Sequence, residues 1–268
     1  MRGKFITLEG GEGAGKTTLI KAVQAALVAK GLDVVVTREP GGTPGAEVLR
    51  DILLKGATDR WSPVTEALLM YAARVDHVER LIEPALSRGA WVISDRFADS
   101  TMAYQGYGGG VDPARIRAIH GAAIGDFKPD LTLILDLETS EGLARAGKRL
   151  VEAGSAEDRY ERMERDFHDR LRNGFLEIAK ADPLRCRVID AAVDLDPRTG
   201  LERTVARGED ATRFERFDAD FHARLRQAFL DIAAREPERC CVLDARSDAD
   251  AVAAAALQAI ETRLGAPA

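Results

Sequence analysis

The sequence has little cysteine, no excess of basic charge and no long apolar run, and each shortage argues against a class of protein. Its 268 residues include 3 cysteines, whose spacing suits neither a disulfide framework nor a metal site: Cys186, Cys240 and Cys241. No run of about 18 apolar residues could cross a membrane, and the chain enters an apolar strand at once instead of a signal peptide. The net charge of −6 and the lack of a DNA-binding motif argue against nucleic-acid or membrane-surface binding. We therefore expect reduced thiols and a cytoplasmic protein that binds neither nucleic acid nor a membrane.

One short stretch carries the strongest indication of function. Residues 10–17 have the spacing Gly-x4-Gly-Lys-Thr, between an apolar strand at 5–8 and an amphipathic helix. Glycines let backbone N–H groups turn toward anionic oxygens, and the start of the helix adds positive charge. Lys16 is expected to contact the β- and γ-phosphates of a nucleoside triphosphate, and Thr17 its Mg²⁺. The predicted ATP-binding residues are Gly10, Gly11, Glu12, Gly13, Ala14, Gly15, Lys16, Thr17 and Thr18.

Short apolar runs alternate with helical patterns in the first half of the chain. The runs lie at residues 5–8, 34–37, 91–95 and 131–136. The intervening patterns predict helices at 46–54, at 63–86 with a kink at Pro84, and at 114–124, together with a glycine-rich loop at 105–110. This alternation predicts a doubly wound α/β fold, in which helices cover both faces of a parallel sheet.

Polar residues cluster at the carboxyl ends of three predicted strands. These are the phosphate loop, Arg38-Glu39 and Asp95-Arg96. Ligands bind at this edge of a parallel sheet, so the convergence favours a catalytic site over a scaffold. Asp95 could hold Mg²⁺ through water and Arg96 a second phosphate, which is the arrangement that phosphoryl transfer between two phosphates requires.

The last third of the chain contains an internal duplication. Residues 158–191 match residues 212–245 at a constant offset, 213 − 159 = 54, with 19 identities in 34 aligned positions. We interpret it as a repeat within one domain of residues 1–268. The first copy lies at about 138–191 and the duplicated segment at about 192–245.

Each copy predicts a charged loop, an amphipathic helix and a short strand, at Cys186–Asp190 or Cys240–Asp244, before a final helix at about 248–264. The first copy directly follows the fourth strand, whereas the second copy's strand directly precedes the final helix. Because connections between elements are usually short, the first copy is favoured to supply the working charged loop, and the second copy is favoured to supply the last strand of the sheet.

The motifs together resemble those of the bacterial thymidylate kinases, within the nucleoside monophosphate kinase group. The resemblance covers residues 1 to about 191 and rests on the segments at 5–18, 37–44, 69–74, 94–106 and 158–161. It implies a P-loop nucleoside monophosphate kinase fold and transfer of the γ-phosphoryl group of ATP to dTMP, giving dTDP and ADP, with Mg²⁺. It also implies a homodimer formed through helices around 63–87 and 114–124.

The resemblance also implies roles for individual residues. The catalytic residues are Lys16, Asp95, Arg96 and a lid arginine, either Arg149 or Arg159, with Thr17 and Asp95 at the metal. The implied dTMP-binding residues are Glu39, Arg50, Met70, Arg74, Arg96, Ser100, Thr101, Tyr104 and Gln105.

Two departures from the family pattern leave alternatives open. Met70 stands where an aromatic residue commonly stacks on thymine, so a kinase for another nucleoside monophosphate is the competing enzyme. The duplication leaves open a nucleotide-dependent switch or a weakened binding protein. The first copy keeps Asp158-Arg159 where the second has Thr212-Arg213, so we expect the first to supply the working lid. The second is then an inert insertion, an element swapped in a dimer, or a recombination accident that lowers activity.

Overall fold

The computed structural model of the chain describes residues 2–137, 139–140, 142–143, 146, 159–160, 163–190, 257–258, 260 and 262. Arg149 and the duplicated segment at 192–245 lie outside these residues, as does most of the predicted final helix. The prediction of a single domain over residues 1–268 therefore stays a prediction.

Strands and helices alternate along the described chain. The strands are β1 (Phe5–Gly10), β2 (Val34–Arg38), β3 (Trp91–Asp95), β4 (Leu131–Asp136) and β5 (Cys186–Asp190). The helices are α1 (Lys16–Ala29), α2 (Pro44–Leu54), α3 (Pro63–His77), α4 (Glu83–Ser87), α5 (Ala98–Thr101), α6 (Pro113–Ile124) and α7 (Arg165–Ala181). Proline at the first helical turn and a Thr43 or Ser62 side-chain cap fix the starts of α2 and α3.

The five described strands form one parallel sheet in the order β2-β3-β1-β4-β5. Side chains of β4 alternate between its faces: Leu131, Leu133 and Leu135 pack in the cluster that includes α1, and Ile134 in the cluster that includes α7. Helices thus cover both faces, and the predicted doubly wound α/β fold is confirmed.

The long helical stretch after Ser62 is interrupted, as the proline predicts. A π-helical turn at Val78–Ile82 separates α3 from α4, and Pro84 lies in the first turn of α4. Proline has no N–H to donate to the preceding turn, and the wider π turn accommodates this loss. Arg74 and Met70 therefore lie on a regular helix just before the interruption.

The predicted glycine-rich loop at 105–110 is wrong over most of its length, because the chain is π-helical from Met102 to Gly108. A Cβ atom on Gly108 would lie 2.7 Å from Cε2 of Phe167 in α7. This glycine permits close packing of two helical segments rather than a flexible turn. Sequence composition alone does not separate these two uses of glycine.

The first repeat copy supplies the strand that completes the described sheet. β5 pairs with β4 from Thr132↔Cys186 to Asp136↔Asp190, and α7 packs against the π-helical turn at Met102–Gly108. The expectation that the second copy provides this strand is wrong. The connection from α7 to β5 is itself only a short turn, so one copy places both elements. Leu257 and Ile260 lie in the same core cluster as Leu27 and Ile189.

Gly174 of α7 provides a test of this packing. An added Cβ would lie 2.7 Å from Cβ of Tyr107, an atom that no side-chain rotation can move away. We expect Gly174→Ala to lower the free energy of unfolding by about 1–3 kcal/mol, measured in urea. The control is Gly121→Ala in α6, where an added Cβ meets nothing within 4 Å and the loss of backbone freedom stabilises by about 0.5 kcal/mol. Equal effects of the two variants would contradict the packing argument.

Candidate active site

The phosphate loop joins β1 to α1 at the carboxyl edge of the sheet. Gly10, Gly13 and Gly15 have φ values of 127°, 71° and 89°, a region that favours glycine. A Cβ on Gly10 would lie 2.3 Å from the carbonyl oxygen of Leu135. The loop therefore depends on glycine both for its turns and for its close approach to β4.

The Lys16 ammonium group lies inside this loop. Its Nζ donates to the carbonyl oxygens of Gly10, at 3.2 Å, and Gly11, at 2.9 Å. Burial and the nearby positive charge of Arg96 lower the pKa of Lys16 to about 8. An anionic ligand beside the ammonium group would favour its protonated form.

Asp95 and Arg96 extend from the end of β3 toward the loop. Arg96 has φ 71°, which is rare for a residue with a side chain. Its guanidinium donates to the Gly10 carbonyl oxygen, at 2.9 Å, and to Glu12 Oε1, at 3.0 Å. It also lies over the ring of Tyr104, whose hydroxyl donates to Glu12. Oδ1 of Asp95 is buried and, among the described residues, has no hydrogen-bond partner.

Arg74 of α3 is held by fixed partners. Nε donates to Glu39 Oε2, at 2.7 Å, and Nη2 donates to the Phe97 carbonyl oxygen and to Thr101 Oγ1, at 3.0 and 3.1 Å. Glu39 also accepts a hydrogen bond from His77. Nη1 of Arg74 is buried and has no partner within the described part of the chain. One buried donor is therefore available at this wall of the pocket.

Gln105 presents an available acceptor. Its Nε2 donates to Glu66 Oε1, at 2.6 Å, and to the hydroxyl oxygen of Tyr160, at 3.1 Å. Its Oε1 is buried without a partner among the described residues. The pocket wall thus offers one unpaired donor, on Arg74, and one unpaired acceptor, on Gln105.

A single pocket of about 400 Å³ contains nearly all the predicted site residues that the structure describes. Of the residues predicted to bind ATP, it is lined by Glu12, Gly13, Ala14, Gly15, Lys16 and Thr17. Of the remaining predicted residues, it is lined by Glu39, Arg50, Met70, Arg74, Asp95, Arg96, Ser100, Thr101, Tyr104 and Gln105. Gly10 and Gly11 line a smaller neighbouring cleft, and Thr18 is exposed on α1. The size suits a nucleotide.

Arg159 does not lie over the pocket, where an arginine that contacts the phosphates would be expected. It is 1% exposed, does not line the pocket, and donates to the carbonyl oxygens of Leu53, Ala57 and Thr58 at 2.8–3.1 Å. It also forms an ion pair with Glu66 at 2.5 Å. In this conformation Arg159 connects the first repeat copy to the end of α2 and the residues that follow it.

The sequence reasoning missed three residues around the pocket. Tyr160 lines it, Glu66 supports Gln105 from behind, and Glu9 accepts hydrogen bonds from Phe97 N and Ser100 Oγ. Burial and the nearby Asp99 raise the pKa of Glu9 to about 8. The sequence did contain a signal for Glu66, because it lies one helical turn before Met70 and two turns before Arg74, on the same face of α3.

No cluster of three His, Cys, Asp or Glu side chains suited to a metal occurs in the described residues. A metal here would need ligands from a bound phosphate in addition to the protein, as Mg²⁺ commonly does. Asp95 Oδ1 and the Thr17 hydroxyl fit such a site. Nor does any described helix have the length and apolar character to span a bilayer.

A parallel sheet, a phosphate loop at its carboxyl edge and an adjoining pocket lined by Arg50, Arg74 and Arg96 define a P-loop nucleoside monophosphate kinase fold. The comparisons with known proteins specify the family. The thymidylate kinase family model matches residues 8–194. The chain therefore belongs to the thymidylate kinase family.

Individual relatives agree. The chain is 57% identical to a thymidylate kinase of Caulobacter vibrioides over 198 residues, which cover 74% of this chain and 93% of that protein. It is 51% identical over 191 residues to one of Cereibacter sphaeroides, covering 71% and 88%. A crystal structure of thymidylate kinase from Ehrlichia chaffeensis superposes with a TM-score of 0.55 at 36% identity, covering 70% of this chain and 93% of that one.

The pKa of Lys16 gives a pH prediction. Below a pKa of about 8 the lysine carries its proton, and above it the proton is lost. ATP favours the charged form, so we expect its Kd to rise as pH increases past this value, with proton uptake on binding. Calorimetry in two buffers of different ionisation enthalpy measures both quantities.

The control is Lys21→Ala, which removes an exposed lysine from the same helix and should leave the proton uptake unchanged. Lys16→Arg should abolish the uptake, because arginine does not titrate in this range. An ATP affinity that stays constant through pH about 7 to 9.5 would contradict the role given to Lys16.

Proposed function

We propose that this chain transfers the γ-phosphoryl group of ATP to dTMP and releases dTDP and ADP. The observation that carries the proposal is the pairing of a phosphate loop with a wall that offers one buried donor and one buried acceptor. Thymine presents a carbonyl acceptor beside a ring N–H donor, which is the complement of Arg74 Nη1 and Gln105 Oε1. A site built to hydrogen-bond its ligand rejects analogues that leave these groups unpaired.

The pocket cations form two adjacent sets, which meet where Lys16 and Arg96 both donate to the Gly10 carbonyl oxygen. The loop N–H groups and Lys16 would hold the β- and γ-phosphates of ATP, and Arg96 and Arg50 the phosphate of dTMP. Arg50 is held in place by the carbonyl oxygen of Pro40, to which it donates at 2.8 Å. Two adjacent anion sites would bring the donor and acceptor phosphates together, and their charges would neutralise the oxygens of the transition state.

Mg²⁺ would bind between the phosphate loop and the end of β3. The Thr17 hydroxyl would bind it directly and Asp95 through water, which would give a role to a buried carboxylate oxygen that has no partner among the described residues. When bound, the ion would supply Lewis-acid charge to the phosphate oxygens. Thr17 and Asp95 would fix its position, and Lys16 would hold the adjoining phosphate.

The remaining pocket residues would orient dTMP. Met70 would cover a face of the base, replacing an aromatic ring with a flexible apolar side chain. Tyr104 would pack beneath the deoxyribose, fixed by its hydrogen bond to Glu12 and by Arg96 over its ring. Thr101, Ser100 and Glu39 would act by fixing the arginines, since each accepts a hydrogen bond from Arg74 or Arg96.

We assign the working lid to the first repeat copy. Tyr160 and Arg159 contact Glu66 behind the pocket wall, and α7 packs against Tyr107 at Gly174. The second copy has Phe214 where Tyr160 stands, so it lacks the hydroxyl. It also has Ala228 where Gly174 stands, so its Cβ would collide with Tyr107 in the same position. Arg149 then remains the candidate for a cation that closes over the phosphates.

We extend the proposal to a cytoplasmic homodimer. α3 lies within the stretch at 63–87 that the family resemblance assigns to the dimer contact. Cys186 is a free buried thiol, which suits a reducing compartment.

An acceptor series tests the function. We expect ADP formation from ATP and Mg²⁺ to be fastest with dTMP, lower with dUMP, and lower again with dCMP and dGMP. Cytosine lacks the ring N–H, and guanine is too large for a pyrimidine site. A coupled assay for ADP measures this, and Lys16→Ala is the control for contaminating activity. A preference for another monophosphate would identify the competing kinase, and ATP binding without acceptor-dependent turnover would identify a switch.

The lid assignment is tested by two matched substitutions. Arg159→Ala leaves Glu66 buried and without its cation, so we expect a loss of about 3–5 kcal/mol in unfolding free energy and slower dTMP phosphorylation. Arg213→Ala at the corresponding position of the second copy should change the unfolding free energy by less than about 0.5 kcal/mol and leave turnover unchanged. Urea denaturation and steady-state kinetics measure both. An equal or larger loss of turnover in Arg213→Ala would overturn the assignment.

A further inference from the structure

Glu66 lies behind the pocket wall and contacts no pocket surface itself. It is 5% exposed, and its carboxylate is contacted by three side chains. Gln105 Nε2 donates to Oε1 at 2.6 Å, the Tyr160 hydroxyl donates to the same atom at 2.5 Å, and Arg159 pairs with Oε2 at 2.5 Å. The guanidinium of Arg159 balances the buried charge.

These contacts determine which way the Gln105 amide points. A carboxylate can only accept hydrogen bonds, so the NH₂ group of Gln105, and not its oxygen, must face Glu66. The Tyr160 hydroxyl gives its single hydrogen to Glu66, so its oxygen accepts from Gln105 Nε2 at 3.1 Å. Both amide hydrogens then have partners.

The opposite orientation is excluded by charge. A turned amide would bring Oε1 of Gln105 against a carboxylate oxygen and leave its NH₂ group without these two acceptors. The observed orientation leaves Oε1 buried, unpaired among the described residues, and on a residue that lines the pocket. Glu66 is therefore the reason why Gln105 presents an acceptor oxygen, and not its NH₂ group, at the pocket wall.

We propose that Glu66 is a positioning residue that sets base selectivity by fixing the Gln105 amide as an acceptor. The proposal rests on the proposed function, in which dTMP occupies this pocket. A base with a ring N–H next to a carbonyl satisfies both Gln105 Oε1 and Arg74 Nη1. A cytosine-type base presents an unprotonated ring nitrogen to Oε1, so two acceptors would face each other.

The test compares dTMP with 5-methyl-dCMP, which keeps the methyl group and changes only the hydrogen-bonding edge. Glu66→Gln can donate to a turned Gln105, so the amide can present its NH₂ group to the base. We expect the ratio of kcat/KM for dTMP to that for 5-methyl-dCMP to fall about tenfold to a hundredfold. A ratio that stays within about twofold in the folded variant would overturn the proposal.

Two further variants separate positioning from general damage. Tyr160→Phe keeps the Glu66 carboxylate against Nε2, so it should alter the rates with both acceptors alike and leave their ratio nearly unchanged. Glu66→Gln in a Gln105→Ala background should cause no further change in the ratio, because the amide is absent. An equal fall of the ratio in that background would show that Glu66 acts by another route and would reject the proposal.

The amide orientation can also be measured without any nucleotide. In wild-type protein labelled with ¹⁵N-glutamine, the Gln105 side-chain hydrogens should exchange slowly with solvent because both are bonded and buried. Fast exchange would overturn the proposal even if Glu66→Gln fails to fold. If wild-type protein does not phosphorylate dTMP, the proposed function fails, and slow exchange still supports the part played by Glu66.

Discussion

The register of four parallel strands, β1 to β4, is the constraint on which the site depends. β1 lies between β3 and β4, with Leu8 opposite Asp95, and β2 ends with Arg38 opposite the same residue. Because the strands run in one direction, their polar ends meet at one edge. A slip of one residue would reverse which side chains of β3 face each layer and would separate Arg96 from the phosphate loop.

Buried carboxylates then convert this edge into a selective pocket. Glu39 holds Arg74, and Glu66 holds Arg159 and Gln105, each within a few ångströms and away from water. Removing one partner of such a pair leaves a buried charge without compensation, which makes these contacts costly to break. Their geometric result is that Arg74 and Gln105 each keep one polar atom without a partner among the described residues.

The duplication shows which features local sequence can specify and which depend on packing. The two copies share 19 of 34 aligned residues, and the amphipathic pattern alone permits either to form the helix and strand. The described contact of α7 is specific to the first copy's residue, since Gly174 lies where an added Cβ would be 2.7 Å from Cβ of Tyr107. The short-connection argument considered chain length alone, whereas the strand that pairs with β4 is that of the first copy.

The sequence by itself determined the phosphate loop, the order of strands and helices, and most of the residues that line the pocket. The loop and the elements follow from local patterns: glycine spacing, short apolar runs, period-3.6 hydrophobicity and polar residues at strand ends. Most of the dTMP-side residues were implied by the family resemblance of the motifs. Only the tertiary structure decided that residues 102–108 are helical, that Arg159 is buried, and that Glu66 orients Gln105. Those outcomes depend on contacts between residues far apart in the chain, such as Gly108 with Phe167 and Glu66 with Tyr160. No local pattern encodes such contacts, because their energy exists only when distant segments pack together.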